Sequence, residues 1–267
     1  MSTGRRKAVF IDIDGTIIAK GEGPFRDDID AMEEAAGKGH LLFLNTGRSF
    51  ANIPRALLDF SFLKGISAGG GTHVLLAGSP GPCYQTIYHK WIPEDVLAQV
   101  FAWYDKQSRF CILEGEQGCY IINPTSPLRM AKEPIPVNSL DDFKRKSSGD
   151  LVTKLTLDGF ATEDERLLLG PYFKLNSFPE YSEAIITGEN KGKAMELILN
   201  TMGVEREDSI AIGDSANDID MIRFAGLGIA MGNASAELKA IAGAITASCG
   251  KGGVAEALRK YVLQGRG

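Results

Sequence analysis

The sequence predicts an α/β protein, a doubly wound parallel sheet into which a second, α+β domain is inserted. Short apolar runs alternate with amphipathic helical stretches in the first eighty residues, and the same alternation returns from Ser209 onward. Between them the pattern changes to aromatic and β-branched runs with clustered prolines. Neither end has enough strands to close a sheet alone, so we expect one core built from 1–81 and 185–267, with an inserted domain at 82–184.

The first core segment has strand–helix–strand order. AVFI at residues 8–11 is a buried-strand run, and residues 27–39 place Ile29 and Met32 at helical spacing before two glycines. LLFL at residues 41–44 predicts a second strand, and residues 49–63 predict a second helix. This order is that of a parallel sheet.

The second core segment repeats the alternation, and the insert does not. Strands are predicted at SIAI, LGIAM and AITA, and helices at 217–225, 234–242 and 253–263. In the insert, strands are predicted at CYQTIYHKWI, CYIIN, LVTKLTLDGF and EAIIT, around a helix at 94–107.

The composition excludes several classes of protein. Hydrophobic residues make up 44% and charged residues 24% of 267, which is typical of a globular protein. A net charge of -5 gives no general attraction for nucleic acid or an anionic membrane, so a small-molecule partner is expected. Four cysteines without a C-x-x-C pair, and no apolar run long enough for a signal peptide or a membrane span, predict a cytoplasmic protein. The oligomeric state stays open.

Three of the apolar runs end in polar residues. Asp12 follows AVFI, the run 45–48 (Asn-Thr-Gly-Arg) follows LLFL, and Gly213–Asp214 follows SIAI. Ligands of open parallel sheets bind at the carboxyl ends of the strands, which is where all three groups are expected. For any single run, ordinary turn chemistry remains an equally good interpretation.

Asp12 and Asp14 allow three interpretations: shared metal ligands, a nucleophile with its acid, or a turn. If both lie near Asp214 and Asp218, each pair of carboxylates about 5 Å apart repels by roughly 3 kcal/mol at an effective dielectric constant of about 20. Such a cluster calls for a cation. Carboxylates without accompanying histidine or cysteine favour Mg²⁺ over zinc, and a metal bound in this way implies a phosphate partner.

Four motifs carry a family resemblance. FIDIDGT, LNTGR, GENKGKAM and GDSANDIDM, in this order, resemble the motifs of haloacid dehalogenase-like phosphohydrolases of the Cof-type branch. The resemblance implies a Rossmann-like core, a large C2-type cap of subclass IIB between the second and third motifs, a Mg²⁺ requirement and hydrolysis of phosphomonoesters, often sugar phosphates. It also implies that the cap, here 82–184, sets the substrate.

The resemblance assigns catalytic roles to the first two motifs. Asp12 would attack phosphorus and form an aspartyl-phosphate, and Asp14 would protonate the leaving oxygen and later take a proton from water. The Thr46 hydroxyl and the Gly47 N–H would bind a phosphoryl oxygen. Without the resemblance, Thr46 would be an N-cap before the helix at Ser49.

It also assigns roles to the last two motifs. Lys191 would offset charge on Asp12 and on the phosphoryl group, with Lys193 as a nearby competitor for this role. Asn217 would assist substrate binding, or it would cap the helix that follows.

The metal site follows from the same resemblance. Asp214 would bind Mg²⁺ together with a carboxylate oxygen of Asp12 and the backbone carbonyl of Asp14. Asp218 would either bind the metal directly or orient Lys191 or a bound water.

Two loops depart from the family pattern. SAGGGTHV, residues 67–74, stands where many relatives carry an Asn-Gly pair, and we expect only a close backbone approach there. The stretch 249–253 (CGKGG) stands where relatives often show an acidic residue, so its role is open.

Five residues of the insert are candidate substrate contacts, without a ranking: Tyr120, Asn123, Arg129, Lys154 and Tyr181.

The sequence therefore predicts a Mg²⁺-dependent phosphatase that hydrolyses a small phosphomonoester, a sugar phosphate or a similar phosphometabolite, through an aspartyl-phosphate. Two alternatives stay open, a phosphomutase-type phosphotransferase and a weakly catalytic, metabolite-binding regulatory protein. Dehalogenase activity is not expected, because Asp14 and the Mg²⁺ ligands suit phosphate chemistry.

Overall fold

A computed structural model describes residues 5–19, 22–78, 83–125, 128, 130–178 and 180–264. Arg129, one of the candidate substrate contacts, lies outside these residues. The chain forms two compact units. The first consists of the chain up to Gly47, Asp59–Ile87 and the chain from Asn190 onward, and the second consists of Arg48–Leu58 and Tyr88–Glu189. The expected limits of the insert, 82 and 184, stay predictions.

The described residues contain fourteen strands. In chain order they are β1 Ala8–Ile11, β2 Leu41–Asn45, β3 Leu63–Ala68, β4 His73–Ala77, β5 Tyr84–His89, β6 Cys111–Gly115, β7 Cys119–Ile122, β8 Ile135–Pro136, β9 Val152–Asp158, β10 Phe173–Ser177, β11 Tyr181–Ile186, β12 Ser209–Gly213, β13 Leu227–Ala230 and β14 Ala244–Ile245.

Nine α-helices lie between them over the same residues. They are α1 Arg26–Gly37, α2 Arg55–Leu58, α3 Glu94–Tyr104, α4 Leu140–Ser147, α5 Glu163–Leu169, α6 Lys191–Met202, α7 Ile219–Phe224, α8 Ala236–Ile241 and α9 Gly253–Leu258. Among the described residues, none of the helices has the length and hydropathy of a membrane span.

The first unit is built on an eight-stranded sheet with the order β14-β13-β12-β1-β2-β3-β4-β5. The strands from β14 to β3 pair in parallel, and β4 returns antiparallel to β3. From the centre of the sheet, β1-α1-β2 runs one way and β12-α7-β13 runs the other. Because parallel crossovers are right-handed, α1 and α7 lie on opposite faces, which is the predicted doubly wound arrangement.

The apolar runs predicted as central strands form the core of this sheet. AVFI forms β1, LLFL forms the first four residues of β2, and SIAI forms the first four residues of β12, and all their residues are buried. Ile29 and Met32 of α1 are buried as their spacing predicts. The Phe10 and Phe43 rings stack across β1 and β2 at a centroid distance of 4.8 Å. The core prediction is confirmed here.

The predicted helix at 49–63 is wrong. The chain instead forms a short 3₁₀ turn at Phe50–Asn52, the four-residue α2, and then β3 from Leu63. Pro54 lacks a backbone N–H and disfavours helical backbone at the residue before it, and Ile53 is extended with ψ 128°. The short segment belongs to the second unit, where Ser49 and Asn52 donate hydrogen bonds to Glu114.

The run at 83–92 was predicted as part of the insert. The structure places most of it in β5, the edge strand of the eight-stranded sheet next to β4.

The second unit has a six-stranded sheet with the order β10-β11-β9-β6-β7-β8. Its strands pair antiparallel except β7 with β8. Apolar residues of α3, α4 and the sheet form one core that includes Val100, Phe143 and Leu155. This is the α+β architecture predicted for the insert.

Candidate active site

The candidate site lies where the sheet of the first unit changes direction, between β1 and β12. Asp12 directly follows β1, Asp214 directly follows β12, and the Asp12 N–H donates to the Ile212 carbonyl at 3.0 Å. Carboxylate oxygens of Asp12, Asp214 and Asp218 lie within 4.8 Å of one another. The structure thus brings together three of the four predicted carboxylates at a topological switch point.

The turn after Asp12 carries Asp14, which is not one of the three carboxylates of this cluster. The N–H groups of Thr16, Ile17 and Ile18 all donate to the Ile13 carbonyl, and Gly15 has φ +75°. A Cβ on Gly15 would lie 2.2 Å from Oδ2 of Asp214, so only glycine lets the turn pass this carboxylate. Asp14 is exposed in the turn, whereas Asp12 is 3% exposed.

Lys191 is the buried cation of the site. It is the first residue of α6, is 1% exposed, and its Nζ donates to Oδ1 of Asp12 and to Oδ1 of Asp218, each at 2.6 Å. Burial opposes the charge of Lys191, but the carboxylates of Asp12 and Asp218 outweigh it and raise its pKa. Lys193 is exposed, and its N–H donates to the Asn190 side chain that caps α6.

Asp218 is held by protein groups through both carboxylate oxygens. Oδ1 accepts from Lys191, and Oδ2 accepts from the N–H groups of Asp214 and Ser215, each at 2.9 Å. The side chain fits because the last residue of β12 is Gly213, where a Cβ would lie 2.5 Å from Cγ of Asp218. These contacts fix Asp218 as a support for both Lys191 and the Asp214 loop.

Asn217 also contacts the lysine. Its Oδ1 accepts from Nζ of Lys191 at 3.0 Å and from the Ser215 hydroxyl at 3.0 Å. The N-cap position of α7, the helix that follows, is Asp218, so Asn217 is not the cap that the alternative interpretation assumed. Contact of Asn217 with substrate stays a prediction.

Thr46 and Gly47 follow β2, the strand next to β1, and both are buried. The Thr46 N–H donates to the Ser67 carbonyl at 2.8 Å. The 3₁₀ turn that follows is preceded by Ser49 at its N-cap position, so Thr46 is not the cap that the alternative interpretation assumed.

The charges of the site leave room for a divalent cation. If all side chains are ionised, Lys191 faces the three carboxylates of Asp12, Asp214 and Asp218, which leaves a formal charge of about -2. Burial, together with the carboxylates of Asp218, Asp14 and Asp214, raises the pKa of Asp12 although Lys191 opposes this. Burial and the nearby Asp218 raise the pKa of Asp214 to about 7. Hard oxygen donors with uncompensated charge fit Mg²⁺.

A family model described as haloacid dehalogenase-like hydrolase matches residues 9–258. The chain belongs to this family. The recognition made from the four motifs, including the Cof-type branch, is therefore confirmed, and with it the expectation of an enzyme with this fold.

Individual relatives agree with the family. The chain is 24% identical to the putative phosphatase YkrA of Bacillus subtilis (strain 168), over 96% of the chain and 98% of that protein. It is 25% identical over 96% of its length to a protein of Arabidopsis thaliana named chloroplastic endoribonuclease YBEY, but spans only 46% of that protein. A solved structure of the subclass IIB sugar phosphatase BT4131 aligns with a TM-score of 0.79 at 27% identity, over 96% of this chain and 98% of that one.

The hydrogen bonds of three polar residues of this haloacid dehalogenase-like site were not predicted from the sequence. The Thr16 hydroxyl donates to Oδ1 of Asp214 at 3.4 Å. Asn233 donates from Nδ2 to the Gly15 carbonyl at 2.8 Å and accepts at Oδ1 from the Cys249 N–H at 2.7 Å. Asn233 thereby joins the CGKGG loop, whose role was open, to the turn that carries Asp14. The third is the buried Asn45, whose Nδ2 donates to the Lys191 carbonyl at 3.0 Å.

The structure separates the candidate substrate contacts of the insert. Nδ2 of Asn123 donates to three carbonyls, those of Tyr104, Gln107 and Arg109, which identifies a structural role. Tyr120 belongs to the apolar core of the second unit, and its hydroxyl donates to Asp150.

Lys154 and Tyr181 lie on neighbouring strands of the same sheet. Lys154 is 3% exposed and donates to Glu183 at 2.6 Å, and Tyr181 is half-buried at the start of β11. Substrate contact by either residue stays a prediction.

Proposed function

We propose that this chain is a Mg²⁺-dependent phosphatase that hydrolyses a small phosphomonoester through an aspartyl-phosphate on Asp12. The observation that carries the proposal is the position of Lys191, whose ammonium binds Oδ1 of Asp12 inside a cluster with a formal charge of about -2. A nucleophile for phosphoryl transfer must be held in position and its charge must be offset. The Lys191 ammonium would do this for Asp12, next to carboxylates that would bind a divalent ion.

In the first step a carboxylate oxygen of Asp12 attacks phosphorus, and the bond from phosphorus to the leaving oxygen breaks. Asp14 gives its proton to that oxygen, so the product alcohol leaves neutral. Lys191 offsets charge on Asp12 and on the phosphoryl oxygens, while Thr46 and Gly47 donate hydrogen bonds to those oxygens.

In the second step water attacks the phosphorus of the aspartyl-phosphate. Asp14, now a carboxylate, takes a proton from this water, and the bond between phosphorus and the Asp12 oxygen breaks. Inorganic phosphate leaves, and Asp12 returns as a carboxylate. The exposure of Asp14 suits a group that exchanges protons in both steps, whereas the buried Asp12 suits the nucleophile.

Asp12, the Asp14 carbonyl and Asp214 would hold Mg²⁺. The bound ion would neutralise charge that develops on the phosphoryl oxygens. Because Asp218 uses one oxygen for Lys191 and the other for two N–H groups, we assign it a positioning role in place of direct metal binding.

A sugar phosphate or a similar phosphometabolite is the proposed substrate class. The support is the similarity, at 27% identity over nearly the whole chain, to a structure described as a sugar phosphatase. The substrate would be a small phosphorylated metabolite, which the protein would encounter in the cytoplasm.

The test is phosphate release from a panel of sugar phosphates and other phosphomonoesters with Mg²⁺. We expect turnover that stops with EDTA, returns with added Mg²⁺, and is absent in Asp12→Asn. Asp30→Asn, a change at an exposed carboxylate on α1, is the matched control and should retain activity.

Activity that survives in Asp12→Asn would contradict the nucleophile assignment. Exchange of phosphate between hydroxyls without its release would identify a phosphotransferase, and tight binding of one metabolite without turnover would identify a binding protein.

A further inference from the structure

The turn at Gly69–Thr72, here called the glycine turn, lies in the SAGGGTHV stretch, for which the sequence predicts only a close backbone approach. It joins β3 to β4, and its three glycines have φ values of +62°, +68° and +104°. The Gly71 N–H donates to the Ala68 carbonyl at 3.1 Å, and the Thr72 hydroxyl donates to the Gly69 carbonyl at 3.1 Å. The turn is closed by its own hydrogen bonds, so its shape is defined.

One side of the glycine turn holds Thr46. The Gly70 N–H donates to the Thr46 carbonyl at 3.0 Å, and the Thr46 N–H donates to the Ser67 carbonyl at 2.8 Å. Both backbone polar groups of Thr46 are thereby bound to β3 and its turn.

The other side of the glycine turn touches the start of α6. A Cβ on Gly71 would lie 2.4 Å from the carbonyl oxygen of Asn190 and 2.9 Å from its carbonyl carbon. These atoms belong to the peptide bond that leads into Lys191, and the same Asn190 caps α6 through its side chain. Backbone atoms cannot move aside as a flexible side chain can, so any side chain at position 71 would displace this peptide.

Asn45 holds the next peptide of α6. Its Nδ2 donates to the Lys191 carbonyl at 3.0 Å, and the residue is fully buried. Its Oδ1 has no hydrogen-bond partner among the described residues. A buried acceptor left unpaired lowers stability, so an apolar residue would be the more stable choice unless the amide has a positioning role.

We propose that the glycine turn and Asn45 together fix the distance between Thr46 and Lys191, which makes Gly71 and Asn45 positioning residues. Asn45 is the neighbour of Thr46 and binds the carbonyl of Lys191, while the glycine turn binds Thr46 and lies against Asn190. The inference rests on the proposed function for the roles of Thr46 and Lys191.

The first test is Gly71→Ala, with Gly39→Ala as its matched control. Gly39 has φ +90° and no atom within 4 Å of an added Cβ, so both variants carry the same type of backbone strain. Only the change at Gly71 pushes on the peptide before Lys191. Because misplacement by about 1 Å can cost about 100-fold in rate, we expect kcat of Gly71→Ala to fall by about 10- to 100-fold, with KM changed much less. Gly39→Ala should retain kcat.

Asn45→Ala acts on the same peptide without adding atoms. We expect kcat to fall by about tenfold. The melting temperature should change little, because the substitution removes the unpaired Oδ1 acceptor together with the Nδ2 donor. This variant keeps the inference testable if Gly71→Ala does not fold. Wild-type kcat in Asn45→Ala would overturn the role of Asn45.

An NMR measurement separates this inference from the proposed function. The ammonium signal of the buried Lys191, assigned with Lys191→Met, should shift in Gly71→Ala and in Asn45→Ala and stay unchanged in Gly39→Ala. The buried ammonium of Lys154, paired with Glu183 in the other unit, is the internal reference.

A shifted Lys191 signal would support positioning even if the wild-type protein released no phosphate, and in that case only the proposed function would fail. An unmoved Lys191 signal in both variants would overturn the inference, whether or not kcat fell.

Discussion

Replacing Lys191 by methionine removes the buried ammonium group of the site. The side chain keeps a similar length, but its Nζ no longer donates to Asp12 and Asp218 at 2.6 Å or to Asn217 at 3.0 Å. The carboxylates of Asp12 and Asp218 stay buried at 3% and 0% exposure. They then face each other without a cation.

The magnitude follows from the distances. At 2.6 Å and an effective dielectric constant of about 20, each ion pair contributes about 6 kcal/mol before the cost of burying the charges. That cost cancels much of the gain, and removal of one partner from a buried pair typically lowers the free energy of unfolding by about 3–5 kcal/mol. For a protein of this size, such a loss lowers the melting temperature by about 10 °C.

The assay is scanning calorimetry of wild type and Lys191→Met in EDTA and again in Mg²⁺, together with phosphate release. We expect the loss of stability to be largest in EDTA and smaller in Mg²⁺, since the ion would supply part of the missing positive charge. Activity should fall by at least about 1,000-fold, by analogy with the loss of other charge-stabilising groups.

Lys193→Met is the matched control, because this exposed lysine is two positions away on the same helix and was the competing candidate. Its stability and activity should remain close to wild type. A Lys191→Met protein as stable as wild type in EDTA would refute the ion-pair reasoning. A loss of activity confined to Lys193→Met would assign the catalytic role to Lys193.

Three further outcomes are expected. Mg²⁺ should raise the melting temperature of wild type but much less that of Asp214→Asn, because binding to the folded state alone stabilises it. Asp150→Ala should lower stability by about 3 kcal/mol, since this carboxylate accepts three backbone N–H groups of the β6–β7 turn and the Tyr120 hydroxyl. His40→Gln should weaken the fall of stability below about pH 6.5. Burial and nearby lysines lower the pKa of His40, whose Nδ1 accepts from the Lys7 N–H. The stabilisation by neutral His40 is therefore present at neutral pH and is lost as pH falls.

Each of these outcomes has a measurement that would contradict it. Equal Mg²⁺-dependent shifts in wild type and Asp214→Asn, read by thermal denaturation, would exclude Asp214 as a ligand. Asp141→Ala, at an exposed acid on α4, controls for Asp150, and equal urea midpoints for the two variants would contradict the hydrogen-bond argument. An unchanged slope of stability against pH in His40→Gln would show that another group is responsible.

Much of the sheet of the first unit could be predicted because its central strands are short, continuous apolar runs. AVFI, LLFL and SIAI are fully buried, and the strands that they form are followed by polar residues, Asp12 after β1, Thr46 after β2 and Asp214 after β12. The error at 49–63 has a local cause. Its apolar residues fit helical spacing, but Pro54 stops the helix, and the segment gains hydrogen bonds to Glu114, 62 and 65 positions away.

The candidate site could be predicted only in part. Asp12, Lys191 and Asp214 stand in motifs that identify the family, and the structure brings these three together. The contact between Asn45 and Lys191 joins positions 146 residues apart, and Asn233 contacts Gly15 across 218. No local pattern in one sequence encodes such pairs, because they depend on the order of strands in the finished sheet.

The second unit is made of two separate pieces of chain, and this limits how the protein can be engineered. Arg48–Leu58 begins right after the Thr46–Gly47 pair, yet its Ser49 and Asn52 donate to Glu114 of the long piece Tyr88–Glu189. A chimaera that exchanges only the long piece with a relative would place a foreign strand against these two donors. Exchange of the second unit between relatives would therefore require both pieces to be transplanted together, as one graft with four junctions.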